Sequence, residues 1–162
     1  MAFMIKNKRQ GKTSDPYYNL VDQWIRVSKT SATLPASTTQ TIFNVDNGNV
    51  LVKLLYGEVT TVIQSQANNL SVEAVPDTGT LLELASVLDI NADEAGTIYM
   101  VEGDGTALVG TVAGGALNGV GTGSFIVAPG VIRIVTSATN TGATKWEIFY
   151  IPLEDDAVVI TG

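Results

Sequence analysis

From residue 24 onward, apolar and polar positions alternate in short runs separated by turn-forming residues. Residues 24–29, 40–45, 49–56, 59–64, 70–75, 81–88, 98–101, 107–112, 125–127, 131–135, 146–151 and 158–160 each carry the period of a strand or a short, Val-, Ile- and Thr-rich apolar run. Asp46-Asn47-Gly48 is the clearest hairpin signal, because Asn-Gly accepts the positive φ angles of a tight primed turn. Residues 51–55 are apolar on both faces apart from Lys53, the pattern of a central, buried strand. In residues 81–88, Leu81, Leu84, Ala85 and Leu88 fall at helical spacing. The strand-dense surroundings favour a strand there. Residues 1–23 hold neither period, and Gly11 and Pro16 interrupt them, so an extended N-terminal arm is expected. The expectation is an all-β chain: a jelly-roll-like or related β-sandwich body over residues 24–162, with residues 1–23 as its arm.

Length and composition fit that picture. A chain of 162 residues with 45% hydrophobic content can bury one core without disulfides or metal. Charged residues make up only 15%, below the roughly 25% of average soluble domains, which suggests surface shared with partners. The charge is also divided. Lys6, Lys8, Arg9, Lys12, Arg26 and Lys29 face only Asp15 and Asp22 in the first 29 residues, whereas Lys53, Arg133 and Lys145 face fourteen carboxylates in the rest. A basic leader on an acidic body is suited to attachment. Nucleic acid is not expected as a partner of that body, since phosphates would be repelled. No apolar run approaches the ~20 residues of a membrane span, so no membrane partner is expected. The start is apolar (MAFMI) and then basic, the reverse of a secretory signal, so synthesis in a cytoplasm is expected.

The chain contains no His and no Cys, which removes the groups that most often titrate or attack near neutral pH. A paired-carboxylate glycan hydrolase is the enzymatic alternative, but most body acids sit beside turn residues, as in Pro76-Asp77-Thr78-Gly79, where solvated loops account for them. No catalytic residue and no enzyme activity are expected. Gly103-Asp104-Gly105 lacks the third glycine of a dinucleotide fingerprint, so no cofactor is expected either. Asp89, Asn91 and Asp93 place oxygen ligands at alternate positions, as a calcium loop does. Glu94 and Met100 stand where an EF-hand would need Gly and Glu, so a polar turn competes with calcium.

Several stretches carry a likeness to known proteins: Leu34-Pro35-Ala36-Ser37-Thr38-Thr39, Val50-Leu51-Val52 with Gly57-Glu58-Val59-Thr60-Thr61, residues 88–97, residues 136–143, and Lys145-Trp146 leading to Tyr150-Ile151-Pro152-Leu153. On these the body resembles a family of small structural proteins encoded by tailed bacteriophages. The resemblance implies a virion component, and the size suggests a capsid decoration (cement) protein on the capsid exterior, bound to the major capsid protein and to its own copies as a homotrimer. A tail-tube or head–tail connector component is the structural rival. In the arm, Lys6, Lys8, Arg9 and Lys12 would meet carboxylates, while Tyr17 and Tyr18, with Trp24 just beyond, would fill apolar pockets and supply more of the binding.

Overall fold

The computed structural model describes residues 24–162 apart from 32, 35–36, 107–108 and 111–122. Eleven strands run through them: β1 (Ile25–Ser31), β2 (Thr39–Asp46), β3 (Val50–Thr61), β4 (Asn69–Pro76), β5 (Leu82–Asp89), β6 (Ile98–Val101), β7 (Val109–Gly110), β8 (Phe125–Val127), β9 (Gly130–Thr136), β10 (Ala143–Pro152) and β11 (Val158–Thr161). There is no helix among the described residues, and so none long and apolar enough to cross a membrane. The all-β expectation therefore holds, and the segment with helical spacing is a strand, Leu82–Asp89. The expected arm, with Lys6, Lys8, Arg9, Lys12, Tyr17 and Tyr18, lies outside the described residues.

Two antiparallel sheets form a sandwich. One has the order β1-β10-β3-β6-β7, with β8 pairing the first residues of β3; the other has the order β11-β2-β9-β4-β5. Alternation places Val50, Val52, Leu55, Trp146, Ile148 and Tyr150 of the first sheet against Ile42, Phe43, Leu70, Leu84, Ile132 and Ile134 of the second, all nearly sealed from solvent. β3 is the central strand of its sheet, as its two apolar faces imply.

Two expectations need correction. Asn47 and Gly48 do form a tight turn, with φ of 63° and 157°. The strands they join do not pair, however: β2 lies in the second sheet and β3 in the first, so the turn arches across the core instead of closing a hairpin. The physical reason is that Phe43 and Val45 on one side and Val50 and Val52 on the other are all buried, and facing layers bury them together. Glu154 holds this arch, its Oε1 accepting bonds from the backbone N–H of Asn49 at 3.1 Å and from its side-chain amide at 2.9 Å. Second, the separate strands expected over 49–56 and 59–64 are one strand, because Gly57 does not break the ladder but lies opposite Trp146.

The sandwich is closed along both sides. The loop after β6 folds back onto the free side of β5, where Gly103 N–H and Gly105 N–H donate to Leu84 O (3.1 and 3.3 Å) and Ser86 N–H donates to Thr106 O (2.8 Å). Glycine suits both loop positions, at φ of +81° and +77°. On the other side, Lys29 Nζ donates to the carbonyl of Gly162, whose N–H donates to Ile42 O, so β1 is tied to the end of β11.

Candidate functional site

Among the described residues, the densest cluster of ionisable groups lies on the outer face of the first sheet, around Glu147. On β10 the core positions are Trp146, Ile148 and Tyr150, so Glu147 points outward, yet it is only 3% exposed. Register explains the cover. Glu147 is paired with Ser28 on one side and Tyr56 on the other, which brings in β1 and β3. Arg26 grips the carboxylate with both arms, Nε to Oε2 at 2.7 Å and Nη2 to Oε1 at 2.5 Å. Tyr56 Oη donates to Oε2 at 2.9 Å, and Lys145 Nζ pairs with Oε1. Four donors thus fill the lone-pair positions of one carboxylate. The Arg26 guanidinium, aided by Lys145 and Tyr56, holds the acid down at about 2 against the desolvation that opposes it. Burial, and then the hydrogen bond to that carboxylate, push the Tyr56 phenol up to about 12. No acceptor on Glu147 is left for a substrate. What the cluster does is lock β1 onto β10 and β3.

Two of the three candidate calcium residues, Asp89 and Asp93, are engaged elsewhere. Asp89 Oδ1 accepts the backbone N–H groups of Asn68 and Asn91, both at 3.2 Å, the second an Asx turn. Asp93 Oδ2 accepts from the Tyr99 hydroxyl at 2.6 Å, and burial followed by that bond raises the Tyr99 pKa. Asn91 is exposed. Among the described residues no three His, Cys, Asp or Glu side chains come together as a metal would need. The loop is built as a brace: Ile63 N–H donates to Asp93 O, Gly96 N–H to Val59 O and Ile90 N–H to Asn68 O.

Two buried asparagines organise the same end of the sandwich. Asn68 Oδ1 accepts from the N–H groups of Ser137 and Ala138, at 3.1 and 3.0 Å, and Asn140 Oδ1 accepts from those of Gln64 and Gly142, both at 3.0 Å. These ties join the β3–β4 connection to the β9–β10 connection. Neither residue carried a sequence signal beyond its place in a polar loop. Asn68→Ala is expected to lower stability by about 1 kcal/mol, measured by urea unfolding, because Ala138 N–H loses its acceptor while Ser137 N–H keeps only Asn69 O.

Comparison of the chain with protein-family models, with curated proteins and with solved structures finds no match in any of the three. The functional reading therefore rests on the chain itself. Of the residues expected to bind a partner, Trp24 alone is described. It stands half-buried just ahead of β1, with Lys53 Nζ 5.8 Å from its ring centroid. Lys53 Nζ in turn donates to Ser124 Oγ at 3.1 Å, so the point from which the N-terminal residues depart is tied to the start of β8.

Proposed function

We propose that the chain is a non-enzymatic virion structural protein that decorates and stabilises the capsid shell of a tailed bacteriophage, binding the major capsid protein and its own copies as a trimer on the capsid exterior. The observation that carries this reading is the strand order. With β11, β7 and β8 as additions, β1-β10-β3-β6 over β2-β9-β4-β5 supports a jelly-roll winding, an architecture recurrent in viral shell components. The sequence likeness over the body points the same way. So does the low charge, which leaves Ile25, Val62, Leu82, Val87, Ile126, Leu153 and Ile160 exposed on one small protein.

In this reading the four basic residues of the arm steer it onto an acidic shell surface. The test is cosedimentation with empty capsids. Wild type is expected to bind and to weaken with added salt, and a variant with Lys6, Lys8, Arg9 and Lys12 all replaced by glutamine is expected to bind weakly at low salt. Equal binding by the variant would remove the arm's role. Binding of both proteins to tail tubes but not to shells would replace decoration with the tail reading.

A further inference from the structure

The two long sides of the sandwich carry opposite charge. At one side lie the end strands β1 and β11, tied to each other through Lys29 and Gly162. At the other lies β5, the end strand of the second sheet, with the loop after β6 folded against it. β1 and β11 hold Arg26 and Lys29 and no carboxylate; Glu154, Asp155 and Asp156 belong to the turn ahead of β11. β5 and residues 102–106 hold Glu83, Asp89, Glu102 and Asp104 and no cation. Glu83, Asp89 and Asp104 are exposed, and the Arg26 side chain is 54% exposed even while it grips Glu147.

Each side also leaves large apolar side chains open to solvent: Ile25 (42%) and Ile160 (45%) on the first, Leu82 (55%) and Val87 (56%) on the second. Apolar side chains within a charged rim are the make-up of a protein contact surface. Charge on end strands ordinarily keeps the edges of neighbouring molecules apart, but only where the edges share a sign. Here β1 against β1 sets cation on cation, and β5 against β5 sets carboxylate on carboxylate. The β1–β11 side against the β5 side joins opposite signs and covers apolar surface on both. One chain cannot make that contact with itself, since β11 and β5 stand four strand spacings apart in one sheet, about 19 Å. A second copy can.

We infer that the β1–β11 side of one copy docks on the β5 side of the next, with Ile25 and Ile160 meeting Leu82 and Val87. Arg26 and Lys29 then face Glu83 and Asp104. The inference rests on the reading that the chain binds its own copies, and adds which surfaces meet. The contact is head-to-tail, so each copy uses two different surfaces, and three such contacts close a ring.

The test is sedimentation velocity on the full-length protein and on two variants at exposed positions, Val87→Glu on the β5 side and Ile160→Glu on the β11 side. Wild type is expected to sediment as a trimer, and each variant as a monomer with an unchanged melting temperature. Mixed in equal amounts, the two variants should form dimers and nothing larger, because the intact β11 side of Val87→Glu fits the intact β5 side of Ile160→Glu. Glu83→Lys, which changes charge alone, should weaken the trimer about tenfold at low salt and much less at high salt. Should Ile160→Glu loosen its short end strand, Glu83→Lys still decides the question. A wild-type trimer that Val87→Glu and Glu83→Lys leave intact would overturn the docking of these sides while binding between copies stands. Monomeric variants that stay monomeric when mixed would overturn it too, since the contact is then not head-to-tail. Wild type that is monomeric at every concentration would leave these sides to another partner, and would overturn both this inference and the reading on which it rests.

Discussion

Replacing Trp146 by alanine is expected to cost about 4 kcal/mol of folding stability, the loss typical of an aromatic ring removed from a closed core. Trp146 is fully sealed from solvent and sits mid-strand on β10, between Lys29 of β1 and Gly57 of β3. The indole lies flat against Gly57, where an added Cβ would fall 2.9 Å from the ring, closer than any methyl group can stand. Its Nε1–H donates to Thr144 Oγ1 at 3.0 Å, so the one polar atom of the ring is satisfied within its own strand. Removing the ring leaves a cavity between a strand with no side chain at that point and a second sheet held by its own ladder, so little collapse can refill it. Urea unfolding should show a lower midpoint with an unchanged slope. The complementary change, Gly57→Ala, is expected to cost about 2 kcal/mol by overpacking. The pair should be non-additive when combined with Trp146→Phe, because the smaller ring makes room for the methyl group. A loss below about 1 kcal/mol for Trp146→Ala would mean that the ring does not fill the position described.

Glu147→Gln should be the most damaging change at a charged residue. Glutamine keeps the shape but not the charge, leaving Arg26 and Lys145 beside each other without a counter-ion and Tyr56 facing an amide. Breaking fully buried pairs costs about 3–5 kcal/mol; Arg26 is half-exposed, so about 2 kcal/mol is expected here. The pH dependence identifies the cause. The folded-state pKa of Glu147 is depressed to about 2 from 4.5, so its contribution is fully present above about pH 4.5 and is lost as pH falls through 2. Wild type should therefore lose stability across that window faster than Glu147→Gln, and the two curves should converge near pH 2. Parallel curves would show that the carboxylate is not the group responsible.

Alternation alone made most of the strands legible. Residues 70–75, 131–135 and 146–151 each present a buried side chain every second position, and a chain with that period has only one way to hide its apolar half; in 40–45 a bulge buries Ile42 and Phe43 in succession. The strand-dense surroundings correctly overrode the helical spacing in 81–88. Alternation failed at Gly57, where a glycine reads as a break; its role is to leave room for Trp146, a residue 89 positions away, and no local pattern reports that. For the functional residues the position is similar. The charge division and the aromatic pair Tyr17-Tyr18 are visible in the sequence. The lock on Glu147 is not, because Arg26 and Glu147 are 121 residues apart and only the β1–β10 register makes them neighbours.

By itself, then, the sequence determined local matters: which residues are strands, which side of each is apolar, and where the chain turns with positive φ. These follow from side-chain period and backbone sterics, which act over a few residues. Which strands pair was decided only by the tertiary structure. Asn47-Gly48 shows the difference most plainly, since its chemistry specifies a tight turn equally well for a hairpin and for an arch. Burial of Phe43 and Val45 against Val50 and Val52 selected the arch, because two facing layers remove more apolar surface from water than one sheet with an exposed face. The tertiary structure likewise set the register of β1, β10 and β3 that gathers four donors on Glu147.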